Sequence, residues 1–140
     1  MFDYRAESRR WFAQAERDLE AARHNLGGTF YETACFLSQQ AAEKALKAFL
    51  YGHGHGNVTG PSVLELGRRC QAIDADFAAL AGRWPRLDRL YMPTRYPDAL
   101  PGGSPFEAFA VDDAEGALRD AGAILDLVRE RLPNRPDPGD

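Results

Sequence analysis

A chain of 140 residues is long enough for one hydrophobic core and too short to divide into two. Hydrophobic residues make up 44% of the chain and charged residues 27%, a balance that excludes disordered and fibrous proteins. The formal net charge of −4 excludes a protein that coats nucleic acid by charge alone, so any contact with RNA or a nucleotide must be local.

The first predicted element is an amphipathic helix from about Arg5 to Leu26, whose apolar residues recur in steps of three and four. Gly27-Gly28 is expected to end it, because glycine accepts the left-handed conformation common after helices. The N-terminal residues are charged and lack an apolar run, so we expect no signal peptide, no membrane span and a cytoplasmic location.

The second predicted helix begins at a Thr29 cap and runs to about Tyr51. Glu32, three residues after Thr29, would complete a capping box. Alanine is frequent along this segment, and small side chains let a neighbouring helix approach closely. We therefore expect it to be the central helix of a bundle.

The two cysteines and the glycine-rich loop at residues 52–57 bear on metal binding. Cys35 and Cys70 are far apart in sequence and lack metal-ligand spacing, which favours two reduced, buried thiols. His53 and His55 could converge on a metal or shuttle protons, but two ligands alone make a poor zinc site and a mobile surface loop is the simpler interpretation. We expect no metal site and no cofactor.

Two further helical segments follow that loop. Ser62 and Glu65 form a second capping box at the start of a short helix. Residues 74–91 again show a helical pattern, but Gly82 and Pro85 interrupt it, so a kink or break is expected near Trp84.

The last helix is predicted from an Asp112 cap, with Glu115 three residues later, to about Leu132. Residues 133–140 contain three prolines and no apolar anchor, so they are expected to form a disordered tail after a domain of residues 1–132. The fold class is therefore all-α, an antiparallel up-and-down helical bundle of about five helices, one of them short.

The candidate site lies in the loop between the last two predicted helices, at Thr94–Gly103. Arg95 offers a planar fork of donors that fits a phosphate, and Tyr96 offers a flat face for a base and a hydroxyl. With Thr94 and Asp98 they form a candidate nucleotide- or phosphate-binding cluster. In the structural alternative, Arg95 pairs with Asp98 or a carboxylate of the second helix, and Tyr96 packs the loop onto the bundle.

Gln39, Glu43 and Lys47 are spaced four residues apart and form one polar stripe on the alanine-rich second helix. One interpretation is a solvated stripe with a Glu43–Lys47 ion pair. The other is that the stripe faces the loop around Arg95 and contributes to a polar cleft.

Three segments resemble the HEPN domain family over roughly residues 8–132. The first is the spacing of Trp11, Ala15, Asp18, Leu19 and Ala22, and the second is the run Ala34–Ala48. The third is Leu87-Asp88 with Tyr91, followed by Thr94-Arg95-Tyr96-Pro97-Asp98-Ala99. The last is similar to the TRYPDA signature of one small prokaryotic branch. The resemblance implies a homodimeric helical bundle that stands beside a minimal nucleotidyltransferase in toxin–antitoxin or related defence systems.

The chain departs from the family pattern where catalysis would be expected. Ribonuclease members pair an arginine with a histidine a few residues downstream, but no histidine follows Arg95. The tyrosine that replaces this histidine in another branch is also missing at that spacing, and Pro61 occupies the place of a histidine common in relatives.

Three functions are compatible with these features. The first is a nucleotide- or RNA-associated module that binds through Arg95, Tyr96 and Asp98. The second is a ribonuclease with a non-standard active site that combines Arg95 with His53 or His55. The third is a non-catalytic, antitoxin-like interaction protein.

Overall fold

In a computed structural model, which describes residues 1–132, the chain forms helices joined by turns and loops. The α-helices are α1 (Tyr4–Gly27), α2 (Tyr31–Gly52), α3 (Val63–Ile73), α4 (Arg83–Asp88), α5 (Pro105–Ala108) and α6 (Val111–Arg131). Two 3₁₀ helices lie at Ala75–Leu80 and Pro97–Ala99. No strand occurs in the described residues, so the predicted all-α bundle is confirmed.

The central position predicted for α2 is confirmed by its burial. Its alanines at 34, 41, 42, 45 and 48 are fully buried, and α1, α3 and α6 all pack against it. α1 runs antiparallel to α2, because the Ser8 hydroxyl near the start of α1 donates to the Ala48 carbonyl near the end of α2 at 2.8 Å. α6 runs in the same direction as α2, since His53 Nε2 lies 3.3 Å from the Arg131 carbonyl where both helices end.

The connection between α1 and α2 differs from the prediction. The left-handed residue is Thr29, with φ of 68°, whereas Gly28 has φ of −85°. That conformation lets the Phe30 N–H reach the Asn25 carbonyl at 2.9 Å and close the end of α1. Phe30 is the N-cap residue of α2 and no side chain caps it, so the predicted Thr29–Glu32 capping box is wrong.

At the start of α6, the predicted Asp112 cap is also wrong. The helix begins at Val111, and its cap residue Ala110 donates its N–H to the Asp113 carboxylate at 2.8 Å. The short α5 was not predicted, although it carries a comparable arrangement in which the Ser104 N–H donates to Glu107 Oε1 at 3.1 Å. Four residues are too few to show a helical period.

The elements in the middle of the chain follow the prediction closely. Ser62 caps α3 by accepting the Glu65 N–H at 3.1 Å. The break expected near Trp84 lies at residues 81–82, between the 3₁₀ helix and α4. Pro85 is tolerated because it falls in the first turn of α4, where a backbone N–H would have no partner within the helix.

Both thiols are fully buried and neither forms a disulfide. Burial, and then the nearby charges of Asp113 and Glu32, raise the pKa of Cys35 to about 12. Burial also raises the pKa of Cys70. The thiols therefore serve as small apolar core residues at neutral pH.

Across residues 1–132, no helix combines the length and the apolar character that a membrane crossing requires. The tail predicted at residues 133–140 lies outside the described residues.

Candidate functional site

Arg95 lies in a turn that continues directly from α4. The backbone N–H groups of Arg95 and Tyr96 both bond to the Met92 carbonyl at 3.1 Å, and Tyr96 is extended before Pro97, as expected. Thr94 is buried, and its hydroxyl donates to the Leu90 carbonyl. Local hydrogen bonds of the backbone and of Thr94 thus fix the turn independently of the Arg95 side chain.

The guanidinium group of Arg95 is enclosed by three aromatic rings. Its central carbon lies 4.5 Å from the ring centres of Phe36 and Tyr91 and 5.0 Å from that of Tyr96. Each ring presents the negative face of its π system to the cation. The Arg95 Nε also donates to the Tyr91 carbonyl at 2.9 Å, which fixes the direction of the side chain.

The charge of Arg95 is not neutralised within residues 1–132. No carboxylate forms an ion pair with it there, so the predicted alternative of an Arg95–Asp98 pair is not formed. Nε and one Nη2 hydrogen have acceptors, the latter being the Met92 sulfur at 3.4 Å. Since arginine has five N–H donors, three remain without an acceptor in the described part of the chain.

Two neighbours of Arg95 face solvent. The Tyr96 ring contacts Arg95 on one side, and the residue is 45% exposed. Asp98 lies in the 3₁₀ helix Pro97–Ala99, is exposed, and makes no side-chain hydrogen bond within residues 1–132. The predicted cluster therefore has a fixed cation, an accessible ring and an accessible carboxylate in one short segment.

The polar stripe on α2 is buried, so the solvated interpretation is wrong. Gln39, Glu43 and Lys47 are 0%, 7% and 8% exposed. The predicted Glu43–Lys47 pair is present at 3.7 Å, and Lys47 Nζ also lies 5.2 Å from the centre of the Trp11 ring. Burial raises the pKa of Glu43, and the charges of Lys47 and Lys44 oppose that effect.

The stripe makes no hydrogen bond, ion pair or ring contact with Arg95 in the described chain. Of its three residues, Gln39 belongs to a line of polar contacts that crosses α2, in the order Gln14, Asp18, Lys44, Gln40, Gln39 and the Pro61 carbonyl. Phe36, which lies against Arg95, precedes Gln40 by four residues. The line therefore comes within about 6 Å, measured along the helix axis, of the ring that contacts Arg95.

Asp88 has a role that the sequence did not reveal. Its carboxylate accepts the N–H groups of Val63 and Leu64 at 2.6 and 3.2 Å and the Ser62 hydroxyl at 2.9 Å. It thereby caps the N-terminus of α3 from the end of α4. Because Asp88 comes just before the turn that carries Arg95, this contact ties that turn to α3.

His53 and His55 lie at the far end of α2 from Arg95. His53 follows the last residue of the helix, and its ring centre is 4.2 Å from that of Phe49. Seventeen residues separate His53 from Phe36, a rise of about 25 Å along the helix. Within one copy of the chain, neither histidine can act together with Arg95 on a single phosphate group.

Phe36 and Tyr91 lie in segments that resemble the family, but the sequence did not assign them to the site. Tyr91 stands four residues before Arg95, the spacing of neighbours on a helical turn, and this was an available signal. Phe36 was a large ring in an alanine-rich helix, but nothing in the sequence paired it with a residue 59 positions away.

Comparison with known proteins adds to this geometry. The family model described as "HEPN domain" matches residues 8–131. A protein of Methanocaldococcus jannaschii named "Putative toxin MJ1304" is 29% identical in an alignment 127 positions long, which covers 85% of this chain and 84% of that protein.

Solved structures are similar over most of the chain. TT1696 from Thermus thermophilus has a TM-score of 0.78 and 38% identity, covering 89% of this chain and 98% of its own. ST0689, an archaeal HEPN homologue, has a TM-score of 0.75 and 38% identity, covering 89% and 97%. An HEPN domain protein of Thermotoga maritima has a TM-score of 0.69 and 33% identity, covering 88% and 97%.

Proposed function

The chain belongs to the HEPN domain family, and from this premise we propose that it is a nucleotide- or RNA-associated module whose ligand-binding group is Arg95. The observation that carries the proposal is the guanidinium group held between three rings with no carboxylate partner in residues 1–132. A fixed cation with unused donors suits a phosphate group, and the exposed Tyr96 ring beside it suits a base.

The remaining residues of the cluster have supporting roles in this proposal. Thr94 holds the turn through the Leu90 carbonyl, so it positions Arg95. Asp98 is exposed beside the cluster and can accept hydrogen bonds from sugar hydroxyls or base amino groups. Gln39, Glu43 and Lys47 act at a distance, by fixing the packing of α2 against α1 and the start of α3.

Binding is tested by thermal unfolding of the full chain with ATP, AMP and no nucleotide. A nucleotide at about 100 times its Kd stabilises the folded state by about 2.7 kcal/mol, which raises Tm by about 5–10 °C for a chain of this size. Arg95→Ala is expected to abolish this shift, and Arg95→Lys to reduce it, because an ammonium group lacks the planar fork.

The matched control is Arg17→Ala, which removes the same charge from an exposed position on α1 and should keep the full shift. Circular dichroism verifies that each variant remains helical. The proposal is overturned if neither nucleotide shifts the wild-type Tm, or if Arg95→Ala responds as the wild type does.

We also propose that the module acts in the cytoplasm as a homodimer, beside a minimal nucleotidyltransferase in a toxin–antitoxin or defence system. The relative named as a toxin supports this context. Native mass spectrometry of the freshly purified protein is expected to show twice the mass of the chain, with nucleotide retained by the wild type and lost from Arg95→Ala. A monomeric mass would contradict the homodimer, and a dimer that never retains nucleotide would favour the non-catalytic interaction protein.

A further inference from the structure

A cavity of about 580 Å³ between α4 and α6 contains a second group of cations. Its walls include Arg83, Arg86, Arg89 and Arg119. The first three recur at intervals of three residues, so they share one side of α4 and its C-terminal end. Arg95 does not line this cavity. The arginines are concentrated here although the whole chain is acidic.

Asp120 of α6 fixes two of these arginines. Arg86 binds its carboxylate with two hydrogen bonds, at 2.9 Å from Nε and 2.8 Å from Nη2, and Arg83 Nη1 donates to the same carboxylate at 2.8 Å. The side chain of Asp120 is only 8% exposed, whereas that of Arg86 is 55% exposed. The buried carboxylate thus anchors the two guanidinium groups and leaves their outer edges accessible.

The other two arginines have no such anchor. Arg89 and Arg119 are exposed, and within residues 1–132 neither side chain makes a hydrogen bond or an ion pair. Two further aspartates line the cavity. Asp113 accepts the Ala110 N–H, and Asp112 is exposed in the first turn of α6. The cavity therefore holds two arginines whose donors have no acceptor in the described chain.

We propose that this cavity is a second anion site, which binds a phosphate group between Arg89 and Arg119 with help from the outer edges of Arg83 and Arg86. A phosphate has enough oxygen atoms to accept from guanidinium groups of two helices at once, so it can bridge Arg89 and Arg119. The inference goes beyond the proposed function, because it uses none of the residues around Arg95.

The phosphate can come from a free polyphosphate or from the backbone of a nucleic-acid strand. Isothermal titration at low ionic strength distinguishes the two sources, with inorganic pyrophosphate in one series and a single-stranded oligouridylate RNA in the other. The test variant is Arg89→Ala with Arg119→Ala, since neither substitution disturbs the contacts of Asp120. The control is Arg9→Ala with Arg23→Ala, an equal change of charge at exposed positions of α1.

We expect at least one probe to bind the wild type and to bind the Arg89→Ala, Arg119→Ala variant at least about 10-fold more weakly, while the α1 control keeps its affinity. Asp112→Asn removes a negative charge from the cavity and should tighten binding about 3-fold. The inference is overturned if neither probe binds, or if the double variant and its control bind equally well.

Discussion

Replacing Gly67 with alanine is expected to destabilise the protein by about 3 kcal/mol or more, and to lower Tm by about 10 °C. Gly67 lies in α3 against the ring of Trp84, which is only 1% exposed. A Cβ atom at this position would lie 2.4 Å from Trp84 Cδ2 and Cε2. The ring is enclosed by the core and cannot move aside without disturbing α4. Urea unfolding followed by tryptophan fluorescence measures the effect.

The control for Gly67→Ala is the same substitution at Gly122 in α6. A Cβ there would meet nothing within 4 Å, and alanine favours the helix over glycine by about 0.8–1.0 kcal/mol. Gly122→Ala is therefore expected to stabilise the protein. The two substitutions should change the free energy of unfolding in opposite directions. A Gly67→Ala variant as stable as the wild type would refute the close packing of α3 on Trp84.

Replacing Asp88 with alanine should cost about 2–3 kcal/mol, because two backbone N–H groups and the Ser62 hydroxyl lose a charged acceptor at the N-terminus of α3. Asp88→Asn keeps one acceptor oxygen and should cost less. Hydrogen exchange is expected to show faster exchange at Val63 and Leu64 in both variants. Faster exchange at these two residues would show that the loss of stability lies in the first turn of α3.

Asp126→Ala provides the comparison for Asp88→Ala. Asp126 forms an exposed ion pair with Arg129 three residues later, and such pairs contribute about 0–1 kcal/mol. If the Asp126 and Asp88 variants are equally stable, the capping role of Asp88 is wrong.

The long helices were predictable because each extends over several turns and shows a clear apolar period. The errors lie at their ends, at Thr29 and Asp112, where a capping residue was assigned from its type alone. Which residue caps a helix depends on where the preceding chain enters it. At Thr29 the left-handed turn that closes α1 took the place of a cap for α2.

Only the residues of the candidate site that are neighbours in sequence were predictable. Arg95 and Tyr96 are adjacent, and their chemistry is visible in the sequence. The ring of Phe36 comes from another helix, so its contact with Arg95 depends on tertiary packing. The burial of Gln39, Glu43 and Lys47 was not predictable from their spacing, because the same spacing is typical of a solvated stripe. The residues that cover Gln39 and Lys47, Pro61 and Trp11, come from other parts of the chain.

The rings around Arg95 also affect the entropy of binding. Fixing a long side chain on association typically costs about 0.5–1.5 kcal/mol. Phe36, Tyr91 and Tyr96 already restrict the rotamer of Arg95, so most of that entropy is lost during folding and not when a ligand arrives. Arg89 and Arg119 are exposed and would have to become ordered on binding. Arg95 is thus preorganised for its ligand, and the arginines of the cavity between α4 and α6 are not.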